Sequence, residues 1–314
     1  MRISVLIPTH NPRPDFLDRT LAALRAQTLA LSEWELLLID NCSAPALSPA
    51  LVAWHPHGRV VPAPVLGLTH ARLAGFAEVR AGILVWADDD NLLDPDYLQI
   101  VLEAFSNAPH LGAIGGKSIP EYESPPAAWY RPDLAPIGCR DLGDTREEAR
   151  WNPGEGRYYP NCSPIGAGLA IRKNALSVWI RAVQNDPLRQ QLGRTGTALT
   201  SGEDNDINLT LLADGWSVAY LPNLRLTHLI PPRRLSIDYQ QRIAQAAFRD
   251  FVRVLAIHGI RPWPPIPPWT VSLRKAKAWL THRAWTGPAA KIHWHGLCGQ
   301  IEGRAAINEP AFKQ

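Results

Sequence analysis

Apolar and polar residues follow two different periodicities along the first 230 residues, one typical of strands and one typical of helices. Apolar, partly β-branched runs predict buried strands at residues 2–7, 34–39 and 83–87. Between these runs, apolar residues spaced three and four apart predict helices that start at Pro14, near Leu73 and at Asp94. Strands that alternate with helices in this way indicate an α/β fold around a parallel sheet.

The regular pattern stops at Lys117 and returns near Gly166. The stretch between them is crowded with prolines, tyrosines and tryptophans. A long irregular segment in a compact domain is usually either functional or disordered, and disordered segments are poor in aromatic residues. We therefore expect a functional loop between Trp129 and Tyr159. Further strands and a helix are predicted beyond it, at residues 166–171, 217–221 and 205–214.

The last quarter of the chain differs from the rest in charge and aromatic content. Residues 231–314 hold 13 Lys and Arg against 4 Asp and Glu, a net charge of +9, whereas the remainder holds 19 against 25, a net charge of −6. The pattern predicts an amphipathic helix over 236–257, a stiff proline-rich connector at 261–269 and a basic helix at 273–285. Five of the twelve tryptophans also lie here: Trp263, Trp269, Trp279, Trp285 and Trp294.

Two interpretations of this basic, tryptophan-rich segment remain open. It contacts anionic lipid headgroups at a membrane surface, or it is a basic packing helix whose tryptophans belong to an ordinary core. The nucleic-acid alternative is disfavoured, because no recognisable reader motif accompanies the basic residues.

Length and composition describe a globular protein of one large domain or two smaller ones. The chain has 314 residues, of which 46% are hydrophobic and 19% charged. No apolar run approaches the length of a transmembrane helix, and the first strand follows Met1 directly, so we expect no signal peptide. The four cysteines are scattered without a paired metal-ligand spacing, which predicts reduced thiols and a cytoplasmic location.

Three consecutive carboxylates, Asp88, Asp89 and Asp90, end the apolar run at 83–87. Like charges side by side repel one another unless a cation or a donor-rich ligand compensates them. Ligands of α/β sheets bind beyond the carboxyl ends of the strands, so the triplet predicts a divalent cation shared with a phosphate. A solvated acidic turn is the alternative. A calcium loop fits poorly, because Leu93 stands where such a loop needs glycine.

Other polar clusters follow the predicted strands or precede the predicted helices. Taken alone, each is weak: Asp204 could cap its helix, and an isolated histidine such as His228 is more often a buried structural residue. Their order along the chain is the specific signal. The clusters are Pro8-Thr9-His10-Asn11, Asp40, Gly67 through Arg72, Glu203-Asp204 and His228.

This ordered set resembles the inverting family 2 glycosyltransferases with the GT-A fold, over about residues 1–230. The resemblance implies a catalytic domain at 1–230 with a mostly parallel central sheet flanked by helices, and a C-terminal helical, basic, tryptophan-rich extension at 231–314. The matching motifs are Ile7–Asn11, Ile39–Ser43, Gly67–Arg72, Ala87–Asp90 with Pro95-Asp96, Gly202–Asp204, Gly215-Trp216 and His228.

The resemblance assigns roles residue by residue. Donor-binding residues would be Pro8, Thr9, Asn11 and Asp40 around the nucleoside, Arg72 at the nucleotide, and Asp88 or Asp89 at the ribose. Asp90 and His228 would hold Mn²⁺ or Mg²⁺, ions that suit oxygen ligands with one imidazole. The family often has tyrosine where His10 stands, which bears on the base; UDP is the expected nucleotide, with GDP and dTDP as alternatives.

The implied reaction moves a sugar from a nucleoside diphosphate to a hydroxyl of a glycan or a lipid-linked acceptor, as in bacterial surface-polysaccharide synthesis. A metal neutralises the charge that the leaving group gains. Asp204, next to Glu203, would be the general base that takes the proton of the acceptor hydroxyl. We expect the enzyme in the cytoplasm, with peripheral docking to the inner face of the cell membrane through residues 232–314.

Two other function classes deserve comparison. Metal-dependent phosphohydrolases and nucleotidyltransferases also use clustered acids and a cation, but the chain shows neither a Walker loop nor paired two-metal ligands. A non-catalytic nucleotide-sugar-binding protein is disfavoured because both the aspartate triplet and Glu203-Asp204 are present.

Overall fold

One mixed sheet runs through the computed structural model, which describes residues 1–196 and 198–308. The strands within these residues are β1 (Ile3–Thr9), β2 (Trp34–Asp40), β3 (Gly58–Pro62), β4 (Ile83–Trp86), β5 (Asn91–Leu93), β6 (Leu111–Tyr122), β7 (Glu147–Ala149), β8 (Ala170–Arg172) and β9 (Ser217–Ile230). Their spatial order is β3-β2-β1-β4-β8-β6-β9-β5, and β7 pairs with β9.

Helices cover both faces of the sheet. They are α1 (Pro14–Arg25), α2 (Leu68–Glu78), α3 (Tyr97–Asn107), α4 (Lys173–Gln184), α5 (Pro187–Gln190), α6 (Glu203–Ala213), α7 (Ile237–Ile257), α8 (Val271–Thr281) and α9 (Pro288–Ala306). Alternate residues of β1 face opposite sides: Val5 packs in the core with α1 and α3, whereas Leu6 packs in the core with α2, α4 and α6. The predicted α/β class is thereby confirmed.

Parallel pairing is concentrated in the first half of the sheet. Strands β3, β2, β1 and β4 run parallel, whereas β8 runs antiparallel to both β4 and β6. A parallel neighbour needs a crossover of about a dozen residues, and β5 begins directly after the aspartate triplet. Strand β5 therefore does not pair with β4; it pairs antiparallel with β9, at the far edge of the sheet.

Strands β6 and β9 are longer than the sequence pattern predicts. The regular pattern stops at Lys117, but residues 117–122 of β6 pair in parallel with residues 225–230 of β9. The pairing of β5 with β9 sets Asn91 opposite His228. This register brings His228 beside the aspartate triplet.

The C-terminal helices pack onto the sheet domain and onto one another. Val254 and Leu255 of α7 belong to the same core as α6. Helix α9 approaches α7 closely at Gly299, where an added Cβ would lie 2.0 Å from the carbonyl oxygen of Gln245. Helix α8 has no buried residue. The division of the chain at residue 230 stays a prediction.

Candidate functional site

A cavity of about 770 Å³ opens at the carboxyl ends of β1 and β4. Its wall combines the ends of these strands with α2, α6, α7 and the irregular segment at 132–140. Most of the site residues predicted from the sequence meet there: Pro8, Thr9, Arg72, Asp88, Asp89, Asp90, Glu203, Asp204 and His228.

Two predicted donor-binding residues, Asp40 and Asn11, lie outside this wall. The carboxylate of Asp40 accepts hydrogen bonds from the backbone N–H groups of Ser43 and Leu47, both at 2.9 Å. Asn11 accepts one from the N–H of Ala44 at 2.8 Å. Both residues therefore shape the loop after β2, and their contact with a nucleoside stays a prediction.

The hydrogen bonds to Asp40 also lower the pKa of its carboxyl group. Burial would raise the pKa of this carboxyl group, but the N–H groups of Leu47 and Ser43 outweigh burial and hold the pKa below its usual value. The loop after β2 thus depends on an ionised Asp40.

The three acids of the triplet have different environments. Burial and the charge of Asp90 raise the pKa of Asp88, and they raise the pKa of Asp89 to about 7. The hydroxyl of Thr9 donates a hydrogen bond to Asp89. Burial would also raise the pKa of Asp90, but the neighbouring His228 and Arg234 hold it well below its usual range. Asp90 is therefore the fixed negative charge of the triplet.

A guanidinium occupies the position expected for the metal. Nη2 of Arg234 lies 2.9 Å from Oδ2 of Asp90, and Nη1 of Arg234 lies 2.8 Å from Nε2 of His228. Within the described residues, no group of three His, Cys, Asp or Glu side chains is arranged to hold a metal ion. A second cation would be repelled by the guanidinium, so this arrangement does not fit Mn²⁺ or Mg²⁺ at Asp90 and His228.

Arg72 and Glu203 form a buried ion pair across the cavity wall. Nη2 of Arg72 lies 3.1 Å from Oε1 of Glu203, and the guanidinium also lies over the ring of Trp86 at 5.0 Å. Burial outweighs this pairing and raises the pKa of Glu203. Among the described residues, Nε and Nη1 of Arg72 have no hydrogen-bond partner. An anionic ligand would satisfy such donors.

Asp204 is the second residue of α6, whose N-cap is Gly202, so Asp204 does not cap this helix. Its carboxylate accepts hydrogen bonds from the backbone N–H groups of Gly166 at 2.9 Å and Asn205 at 2.8 Å. A Cβ on Gly166 would lie 3.2 Å from Nη2 of Arg72 and 3.7 Å from Asp204. The carboxylate of Asp204 thus lines the cavity beside Gly166 and Arg72.

Several cavity residues were missed by the sequence reasoning. The side-chain amide of Asn41 donates hydrogen bonds to the carbonyl oxygens of Ala63 and Val65 and accepts one from the N–H of Gly67. These hydrogen bonds hold the loop that leads into α2. Arg140 belongs to the irregular segment, where no motif marks it. Other cavity residues that the sequence did not single out include Arg194, Arg233, Arg234, Phe248 and Phe251. The only signal for Arg234 was its position six residues after His228 in a Pro-Pro-Arg-Arg stretch.

Curated proteins are similar in sequence to about a third of this chain. An uncharacterized protein of Sinorhizobium fredii, y4gI, is 35% identical over 112 residues, which are 34% of this chain and 12% of that protein. The validoxylamine A glucosyltransferase of Streptomyces hygroscopicus is 35% identical over 106 residues, which are 32% of this chain and 25% of that enzyme. The chain thus spans a small part of the curated relatives it matches.

Solved structures share the fold. Staphylococcus aureus TarS aligns with 98% of this chain and 54% of its own length, at a TM-score of 0.50 and 14% identity. A structure of TarS residues 1–349 in complex with UDP aligns at the same TM-score and identity, over 98% of this chain and 92% of that chain. This likeness concerns the fold alone.

The family that the motifs resemble is confirmed by a family model, and the fold is confirmed by the likeness to solved structures. The domain is of the GT-A type, with a curled central sheet flanked by helices and a helical C-terminal region. Residues 4–174, more than half of the 314 residues, match the model of Glycosyl transferase family 2. The chain belongs to glycosyl transferase family 2.

Proposed function

We propose that this protein is an inverting glycosyltransferase that moves a sugar from a nucleoside diphosphate to a hydroxyl of a glycan or a lipid-linked acceptor in cell-surface polysaccharide synthesis. The observation that carries the proposal is one cavity whose wall contains Asp204, the aspartate triplet and Arg72, which has two unpartnered N–H donors among the described residues. The membership in family 2 supports a transferase over a phosphohydrolase or a nucleotidyltransferase.

The chemistry follows from the two sides of this cavity. Asp204 takes the proton of the acceptor hydroxyl, which is too weak a nucleophile otherwise. The acceptor oxygen attacks the anomeric carbon, and the bond from that carbon to the diphosphate oxygen breaks on the opposite face, through an oxocarbenium-like state. The configuration at the anomeric carbon is thereby inverted. Arg72 supplies positive charge beside the donor.

The proposed donor carries UDP. Support comes from the likeness of the fold to a TarS structure solved with UDP, and one of the matched relatives is a glucosyltransferase. GDP and dTDP remain the alternatives to test. Mn²⁺ or Mg²⁺ is implied by the family resemblance, but the position of Arg234 against Asp90 and His228 does not fit a metal ion there, and no step above depends on one.

The proposed acceptor side includes a membrane. Four large apolar side chains form an exposed surface on and beside α8, which we call the α8 surface. They are Trp269, Leu273, Leu280 and Trp285, exposed by 77%, 67%, 66% and 56%. Leu273 and Leu280 are seven residues apart, so they share one face of the helix. Among the described helices, none has the length and hydropathy needed to cross a bilayer.

Charge on the same segment supports an anionic bilayer as the partner of the α8 surface. Arg274, Lys277 and Arg283 lie within residues 269–285, which contain no acidic residue, whereas Lys275 in the same stretch pairs with Glu302. Exposed apolar patches mark interaction sites, and a helix with apolar and basic residues is typical of interfacial docking. We propose docking on the inner face of the cell membrane, where a lipid-linked acceptor is presented.

The experiment that tests the proposed function is a screen of UDP-, GDP- and dTDP-sugars with the full chain and membrane lipid extracts. The expected result is release of nucleoside diphosphate, with a glycosylated product whose anomeric configuration is inverted by NMR. Release of inorganic phosphate or pyrophosphate instead would favour the phosphohydrolase or the nucleotidyltransferase. If the protein neither turns over any of these sugars nor binds a nucleotide, the proposal is contradicted, and neither the phosphohydrolase nor the nucleotidyltransferase is supported.

A further inference from the structure

Arg234 pairs with both residues that the sequence assigns to a metal. Its Nη2 lies 2.9 Å from Oδ2 of Asp90, and its Nη1 lies 2.8 Å from Nε2 of His228. Nε2 of His228 also lies 3.3 Å from Oδ1 of Asp90. Arg234 therefore forms an ion pair with Asp90 and lies against the imidazole of His228.

The backbone of Arg234 is fixed as well as its head group. The residue belongs to a short helical turn over Pro232–Leu235 that precedes α7. Its carbonyl oxygen accepts a hydrogen bond of 2.7 Å from Nε2 of Gln240. The side chain is 13% exposed and lines the cavity. A cation held at both ends in this way is already oriented before any ligand arrives.

A diphosphate needs positive charge at this place. The wall of the cavity carries six carboxylates, at Asp88, Asp89, Asp90, Asp133, Glu203 and Asp204, and ionised carboxylates repel an anionic ligand. A guanidinium presents a planar fork of N–H donors that matches phosphate oxygens. Arginine, lysine and Mg²⁺ are alternative ways to stabilise charge on a transferring or leaving phosphate.

We propose that Arg234 is the cation that binds the diphosphate of the donor and stabilises the leaving group, in place of a divalent ion at Asp90 and His228. This inference rests on the proposed function. As the acceptor oxygen bonds to the anomeric carbon, the bond to the diphosphate oxygen breaks and its electron pair leaves with the nucleoside diphosphate. The acceptor proton passes to Asp204. Arg234 neutralises the charge gained by the leaving group, and Asp90 and His228 are its positioning residues.

The test measures binding of UDP to the full chain by calorimetry, once in EDTA and once with Mn²⁺. GDP and dTDP are run alongside, and the tightest of the three is used throughout. We expect the wild-type protein to bind in EDTA. Arg234→Gln removes the charge and should weaken binding in EDTA by about 10- to 100-fold. Arg234→Lys keeps the charge but loses the fork, so its loss should be smaller.

Arg225→Gln is the matched control, because it removes one positive charge from β9 outside the cavity. Arg225 is exposed and lies 3.9 Å from Asp94, and we expect its replacement to leave UDP binding unchanged. Melting curves by circular dichroism establish that each variant is folded. If Arg234→Gln does not fold, Arg234→Lys decides: binding in EDTA supports the inference, and binding only with Mn²⁺ overturns it.

Two outcomes separate this inference from the proposed function. Binding that requires Mn²⁺ and is equal or tighter in Arg234→Gln would overturn the inference alone, because Arg234 would then obstruct a metal site. Absence of binding for all three nucleotides, in EDTA and in Mn²⁺, would overturn the proposed function and this inference with it.

Discussion

Arg72 of α2 and Glu203 of α6 are joined by a buried ion pair, with 3.1 Å between Nη2 and Oε1. The pair connects the helix that follows the loop after β3 to the helix that carries Asp204. Because a buried charge without a partner is costly, each residue keeps the other in place. The ion pair therefore links the proposed donor side of the cavity to the helix that carries the proposed base.

Glu203→Gln should destabilise the protein. The substitution keeps the size of the side chain but leaves the buried guanidinium of Arg72 without a counter-charge, so we expect the free energy of unfolding to fall by about 3 kcal/mol. Urea denaturation measures the loss. Glu121→Gln is the control, because the pair of Glu121 with Arg19 is exposed and its loss should cost less than about 1 kcal/mol. Equal losses in the two variants would contradict the prediction.

Asp204→Asn should abolish transfer while nucleotide binding persists. The amide oxygen of asparagine can still accept the hydrogen bond from the N–H of Gly166, so the local fold is kept. Without a proton acceptor, the rate of nucleoside diphosphate release should fall by about 10²- to 10⁴-fold. Calorimetry with UDP should give an unchanged Kd. Asp214→Asn, at the other end of α6, is the control. Undiminished transfer by the Asp204→Asn variant would contradict the assignment of Asp204 as the base.

Asp40→Asn should destabilise the protein in a pH-dependent way. At neutral pH, asparagine offers one acceptor oxygen where Ser43 and Leu47 donate to two, so we expect a loss of about 1–3 kcal/mol. The pKa of Asp40 is lowered in the folded state because the N–H donors of Leu47 and Ser43 outweigh burial. Its stabilising effect is therefore present above the unfolded pKa of about 4 and is lost as the pH falls through the folded value.

Urea denaturation at neutral pH and below about pH 4 checks this sign. The difference in the free energy of unfolding between wild type and Asp40→Asn should be largest at neutral pH and narrow in acid. Asp18→Asn, an exposed substitution on α1, controls for the general effect of losing one carboxylate. A difference that is the same at both pH values would argue against the structural role of Asp40.

The sequence predicted those features that depend on local pattern. The runs before Asp40 and Asp88 are strands, and the ends of such strands lie at one edge of a sheet. This is why Thr9, Arg72 and the aspartate triplet meet in one cavity, as the motifs imply. Asp204 lies in the same cavity because it belongs to the first turn of α6, and its role as the base stays a prediction.

Pairings between distant residues escaped prediction. Arg234 and Asp90 are 144 residues apart, and their contact depends on the register of β5 with β9, which no local periodicity encodes. The continuation of β6 beyond Lys117 has the same origin, since its second half is defined by its pairing with residues 225–230 of β9. For Asp40, the pattern predicted the position at the end of a strand. It did not predict the hydrogen bonds that the backbone N–H groups of Ser43 and Leu47 donate to its carboxylate.

Binding of the protein to anionic vesicles should depend on the α8 surface. Trp269→Ser, Leu273→Ser and Leu280→Ser in one variant remove most of its apolar area, and because these side chains are exposed, the melting temperature should stay unchanged. We expect flotation with vesicles of phosphatidylglycerol and phosphatidylcholine to fall by about tenfold or more, and high salt to weaken the wild-type interaction. Leu31→Ser, also exposed, is the control with an intact α8 surface. Flotation of the triple variant like the wild type would overturn docking through the α8 surface, and equal binding to purely zwitterionic vesicles would overturn the role of anionic lipid.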